Sequence, residues 1–208
     1  PAEAAHKVTG VGPELDASIS LNDAAGKAHA FKDYRGKIVV IDFWSMDAAS
    51  EAYTKKVAEM ADEMGKKGVA FLAIDPSQAD LSGSDADMAK KVEEYAQKNG
   101  ITIPILLDKG GVVARKLGAK TMPEVLVVDA KGIVKYSGAI DDDPKGEKAD
   151  KANHYLRSAV EAVMAGKEVA TATTTPNGTP IPHDKAEKTP EPPAKGHSAP
   201  TGTPPAKK

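Results

Sequence analysis

Residues 37–44, KIVVIDFW, are the stretch that most restricts what this chain can fold into. Lys37–Trp44 is a run of β-branched and aromatic residues with few polar interruptions. Such a run predicts a strand covered on both faces, which belongs in a parallel sheet with layers above and below it. A short turn follows, and then an amphipathic pattern over Ala48–Lys67. Ala49, Tyr53, Val57, Met60, Ala61 and Met64 fall on one stripe at helical spacing, with Glu51, Lys55, Lys56, Glu59 and Lys66 elsewhere. Asp47 is placed to cap this helix, and Gly65 or Gly68 to end it. Val69–Asp75 reads as a second buried strand. A strand–helix–strand unit of this length implies a right-handed crossover and a parallel pair.

The flanking pattern completes an α/β domain. Leu15–Lys32 alternates around the turn cluster Asn22–Gly26, which predicts an N-terminal β-hairpin. After a loop over 76–84, Asp85–Asn99 reads as a helix stopped by Gly100. Ile103–Leu107 is a short apolar segment, and Val112–Leu117 a short helix ended by Gly118. Glu124–Asp129 and Ile133–Gly138, joined by Ala130-Lys131-Gly132, predict an antiparallel hairpin. Asp150–Ala165 reads as the last long helix. The expected architecture is a mixed sheet, parallel strands first and an antiparallel edge hairpin last, with helices on both faces.

Composition sets the boundaries. Of the fifteen prolines, nine lie in residues 170–208, which hold no aromatic residue and no Val, Leu or Met. That segment buries too little to offset its ordering entropy and is expected to be disordered. The expected division is a flexible lead-in over 1–11, a domain over 12–169 and a Pro/Thr/Lys-rich tail over 170–208. The formal net charge is −2 over the 208 residues, and the tail is slightly basic, so the domain is mildly acidic. This gives no electrostatic case for nucleic acid. No apolar run approaches the roughly 18 residues of a membrane span. The missing initiator and the tail point to an exported or periplasmic location over a cytoplasmic one. The chain has no cysteine, which excludes disulfides.

Several segments, taken in order, resemble one family. They are Gly36-Lys37-Ile38-Val39-Val40, Phe43-Trp44-Ser45, Thr121-Met122-Pro123-Glu124-Val125, Gly138-Ala139-Ile140-Asp141-Asp142, Asn153-His154-Tyr155-Leu156 and Ala165-Gly166-Lys167. Together they look like the redoxin branch of the thioredoxin fold, the alkyl hydroperoxide reductase/thiol-specific antioxidant (AhpC/TSA) superfamily. The resemblance covers roughly residues 10–180.

The resemblance implies a thiol or peroxide oxidoreductase, whose chemistry needs a cysteine thiolate at the first turn of a helix. The nucleophile would fall at Ala48. A second cysteine would fall at Glu51, or at Thr179 within Gly178-Thr179-Pro180-Ile181. Neither alanine, glutamate nor threonine can supply that chemistry, so no catalytic residue and no cofactor is assigned. Ala48 has two open explanations: a natural cysteine-less relative, or a replaced cysteine. A peroxide-reducing member would use Ser45; the residue alone reads as a turn serine.

What the resemblance leaves is a binding surface of Trp44, Ser45, Met46, Asp47, Thr121, Met122 and Pro123. A cis bond before Pro123 is implied, with the backbone of Met122 open to an extended peptide or protein partner. The enzyme with Cys at 48 is the alternative reading. A further alternative is Cu(I) held by the thioethers of Met46 and Met122, against which both residues simply fill an apolar patch near Trp44. No metal site is assigned. Asp141-Asp142-Asp143 reads as a solvated acidic turn and His154 as a boundary residue.

Overall fold

The computed structural model describes residues 11–148 and 151–182. At its centre is β3 (Val39–Phe43), every residue of which is buried. It pairs in parallel with β4 (Ala70–Asp75) and antiparallel with β7 (Glu124–Val128). β5 (Ile105–Leu107) adds in parallel to β4, and β8 (Val134–Gly138) adds antiparallel to β7. The five-stranded order is β5-β4-β3-β7-β8, the mixed sheet that the sequence predicts. β1 (Ser20–Asn22) and β2 (Ala28–Ala30) form the expected N-terminal hairpin.

Alternation along the strands sorts side chains onto two faces. Ile41, Phe43, Leu72, Ile74, Leu106, Leu126 and Val128 face one cluster, closed by Leu15, Ile19 and Phe31 and by Val113 and Leu117 of α3 (Val112–Leu117). Val40, Phe71, Val125, Val127 and Tyr136 face the other, under α1 (Ala48–Gly65) and α4 (Tyr155–Met164). On this second side α2 (Asp85–Asn99) packs Met88 and Val92 against Ala73, Ile105 and Trp44. Helices thus lie on both faces. None of the helices among the described residues is long and apolar enough to cross a membrane.

Two expected boundaries move. The last helix begins at Tyr155 rather than Asp150, because Asn153 turns outward to donate backbone and side-chain N–H groups to Asp142. More consequentially, the chain from 170 to Pro182 is part of the fold. Ala172 and Thr174 bond to Ser137 of β8, β9 (Thr179–Pro180) pairs with β6 (Thr121–Met122), and Ile181 is 3% exposed in the first cluster. A domain boundary at 169 is therefore corrected to at least 182. The physical reason is that one apolar side chain and backbone pairing anchor a segment whose average composition is polar. The expected flexible lead-in, up to residue 10, and the tail from 183 on lie outside the described residues. Residues 12–15 bond to the Gly132–Val134 stretch at the outer edge of the sheet.

Leu156 is fully buried between α4 and the sheet. Leu156→Ala is expected to lower unfolding free energy by about 2–5 kcal/mol, read from urea denaturation.

Candidate functional site

The site forms where β3 leaves the sheet. Trp44 extends the strand by one bond, its N–H donating to the Ile74 carbonyl at 2.9 Å. Its ring is 3% exposed, packs edge-on to Tyr95 at 5.4 Å, and its Nε1 donates to Thr54 Oγ1 at 3.3 Å. Ser45 is buried too, its N–H donating to Ser50 Oγ at 3.2 Å. Met46 is tethered from the other side: its N–H donates to Asp80 Oδ2 at 2.7 Å. Asp47 then caps α1 by accepting from the Ser50 N–H at 2.9 Å, as its position in the sequence predicts. Ala48, the first helical residue, is exposed.

Opposite stands the loop ending in the Met122–Pro123 bond, which is cis. Met122 is 2% exposed and Pro123 is buried. The backbone of Met122, expected to be open to a partner, is instead paired with Thr179 in antiparallel register. Gly178 is packed so tightly that a Cβ there would overlap the Met122 carbonyl. The occupant is the chain's own segment 178–181, which overturns the expectation of a free edge. It also brings Thr179 to the rim of the same site, where its hydroxyl faces the Asp47 carboxylate. Burial opposes ionisation of Asp47. Even so, the nearby Thr179 hydroxyl, the bonded Ser50 N–H and the Ser45 and Ser50 hydroxyls close by hold the carboxyl below its ordinary value, while Asp47 Oδ2 has no hydrogen-bond partner.

The expected binding surface therefore divides. Trp44, Ser45, Met122 and Pro123 are buried and brace the site. Met46, Asp47 and Thr121 are half-buried and form its rim with Ala48. Glu51 is exposed, one helical turn further on. Met46 and Met122, expected to line one surface, belong to different apolar clusters, Met46 beside Trp44 and Met122 in the cluster of Phe43 and Ile181. Beside Pro123, a cavity of about 280 Å³ opens between Tyr53, Ile140, Tyr155, Thr174 and Asn177.

Sequence reasoning missed the carboxylates beneath the site. Asp42 lies on β3 under α1, in a small cavity with Thr54, Val57 and Ala58. Its Oδ1 has no hydrogen-bond partner, and burial pushes its carboxyl up to about 7. Asp75 is fully buried and is pushed up to about 8, first by burial and then by the nearby Asp80 charge. Asp108 caps α3 through the N–H groups of Val113 and Ala114. The one available signal was an acid inside an otherwise apolar strand, at the two places IDF and AID. The acidic turn also differs from expectation. Asp141 and Asp143 are 5% exposed, Asp141 paired with Lys56 at 2.8 Å and Asp143 accepting from the Glu147 and Lys148 N–H groups. His154 is exposed at the start of α4.

The family model of AhpC/TSA matches residues 14–137, more than half of the chain. The chain belongs to the AhpC/TSA family. Thiol-disulfide oxidoreductase ResA of Geobacillus thermodenitrificans (strain NG80-2) is 30% identical over 116 residues, 55% of this chain and 62% of that protein. The chain thus spans under two thirds of this relative's length. Among solved structures, a hypothetical protein of Sinorhizobium meliloti 1021 superposes with a TM-score of 0.74 at 24% identity, over 85% of this chain and 96% of that one. An uncharacterised conserved protein of Geobacillus kaustophilus gives 0.71 at 20% identity, over 85% and 93%. These likenesses carry the thioredoxin-like fold. The chain carries alanine at position 48 and has no cysteine.

A pH test follows from Asp42. Its folded-state carboxyl binds a proton more tightly than the unfolded one. The stability it allows is fully present below about pH 4 and is lost as pH rises to about 7. In urea unfolding, Asp42→Asn is expected to gain on the native chain between pH 4 and pH 8, by up to about 4 kcal/mol. A difference independent of pH would contradict the assignment.

Proposed function

We propose that this chain is a redox-silent member of its family that binds an extended protein segment at the rim of Met46, Asp47, Ala48 and Thr121. The observation that carries this reading is Ala48 itself. It is exposed at the N-terminus of an 18-residue helix, on a scaffold whose supports are all present: the Asp47 cap, the Trp44 brace and the Asp80 tether. A methyl group there has no lone pair to attack a disulfide or a peroxide. The shape of the site is kept and its chemistry is gone, which favours recognition over turnover. The cavity beside Pro123 offers room for a partner's side chain.

The test is a titration of the isotopically labelled chain with a reduced and alkylated unfolded protein, followed by amide NMR. Shifts are expected to cluster at Met46–Ala49 and Thr121; an unperturbed rim would refute binding there. In parallel, thiol–disulfide exchange and peroxide reduction are expected at the uncatalysed rate, and turnover by this chain would refute redox silence.

A second reading, a thiol oxidoreductase with alanine in place of its cysteine, is favoured by Asp42. A buried carboxyl with an unpartnered oxygen costs stability without serving the packing around it. Ala48→Cys separates the readings by reactivity. The helix N-terminus favours the thiolate there, so its pKa is expected below the ordinary value of about 8.5 despite the neighbouring Asp47 charge. Thiolate absorbance against pH reads the value, and a mixed disulfide with a cysteine-bearing peptide reads the chemistry. An inert thiol with a raised pKa would count against a site built for sulfur.

A further inference from the structure

The segment 172–182 runs across the site as a strap. At one end Thr174 is bonded into the edge of β8: its N–H donates to the Ser137 carbonyl at 3.1 Å, its Oγ1 accepts from the Ala139 N–H at 2.8 Å and lies 2.6 Å from the Tyr136 hydroxyl. At the other end the Ile181 N–H donates to the Lys120 carbonyl at 2.8 Å, and its side chain packs beside Gly111. Between these anchors the chain is half-buried or exposed at every residue from 175 to 180. Its ladder with Thr121–Met122 is two residues long.

The strap meets two geometric requirements. Opposite the Met122 carbonyl there is no room for a side chain, and Gly178 is what lies there. Three residues later an apolar β-branched side chain fills the hole beside Gly111, and Ile181 supplies it. The pattern Gly-x-x-Ile is therefore a description of the groove, read from its occupant. In this groove recognition runs mostly through backbone pairing, as in strand addition to a sheet edge, with one side-chain pocket to select.

We propose that Gly178–Ile181 is an internal ligand, and that the groove's external partner is an extended protein segment carrying the same Gly-x-x-Ile pattern, which takes its place when the strap lifts. The proposal rests on the binding reading above and adds to it the sequence class of the partner and a reason why binding is held in check. A single buried side chain and a two-residue ladder close the groove at this end. Native-state opening of the strap is thus a local event, separable from unfolding of the sheet.

The experiment uses the full chain and a labelled peptide of residues 175–182, TPNGTPIP, with a Gly→Val version as control. Gly178→Val should dislodge the strap, because its side chain cannot fit against Met122. Fluorescence anisotropy is expected to show the peptide binding Gly178→Val at least tenfold more tightly than the native chain, and the control peptide binding neither. Ile181→Ser, which keeps the glycine and removes the apolar anchor, is expected to show the same gain. Hydrogen exchange on the native chain should release the Ile181 amide well before the amides of β3.

Loss of folding in both variants, or an Ile181 amide that exchanges only with β3, would make the strap a permanent part of the core and overturn the proposal. So would folded variants that gain no affinity. Strap exchange between two copies, seen as a concentration-dependent dimer, would replace the external partner with a second copy. If the rim of Ala48 binds an unfolded protein while the peptide fails here, only the strap proposal falls. If the peptide binds and the rim is silent, the fault lies in the placement of the partner at Ala48.

Discussion

β3 is bonded along both edges and buried on both faces, and the site follows from that confinement. Val39, Ile41 and Phe43 are committed to one layer and Val40 and Asp42 to the other. No register slip can be tolerated, because a shift by one residue would exchange the two sets. The Trp44 N–H still pairs with β4, so the chain cannot leave the sheet before residue 45. It then has three residues in which to turn and start a helix whose stripe must meet Val40, Val125 and Val127. Those constraints place Ala48 at the rim. They act through backbone pairing and packing, and none of them depends on which side chain residue 48 carries. A nucleophile can therefore be absent from a scaffold whose geometry is otherwise complete.

The polar groups beneath the rim work against stability. Asp42 and Asp75 are sealed in a sheet whose inward residues are otherwise mostly apolar, Glu124 apart, and burial drives both toward the neutral form. Asp75, Asp80 and Asp108 each have a task that hydrogen bonds show: Asp75 accepts from the Ser77 N–H, Asp80 ties down Met46 and Asp108 caps α3. The contrast separates carboxylates that shape the loops from Asp42, which shapes nothing by hydrogen bonding through Oδ1. Its position under α1, two residues before Trp44, links the cost to the site rather than to the sheet as a whole.

Much of the fold was legible because local signals agree with the tertiary outcome. α2 keeps the bounds Asp85–Asn99 since Ser84 caps one end and Gly100, with φ of 66°, stops the other. The start of α4 was not legible. Apolar spacing runs back through Ala152, but Asn153 is held by Asp142, eleven residues earlier, and periodicity cannot register such a bond. The site was half legible. The strand, the Trp and the capping Asp47 are local features, and they announced where α1 would begin. Whether Trp44 and Met122 face solvent is decided by Tyr95, by the main core and by the strap, all remote in sequence. Asp42 was hidden for the same reason, since an acid in a strand does not declare which layer it enters.

The strap shows where composition fails as a guide. Averaged over residues 170–208, proline and polar residues dominate, and the average argues against order. Order at 172–182 needs no favourable average, only Thr174, Gly178 and Ile181 at the right intervals along an edge that β8 and β6 already provide. The same three residues carry Thr179 to the site. Ala48 follows Asp47 in the chain, and Thr179 lies near Asp47 across the site, so the two positions meet at one carboxylate. Here neither position holds sulfur, while the backbone that brings them together is paired and anchored at both ends. Closure of the strap over the helix terminus therefore rests on backbone pairing, the close contact of Gly178 with Met122 and the Ile181 anchor, and needs no covalent bond between the two positions.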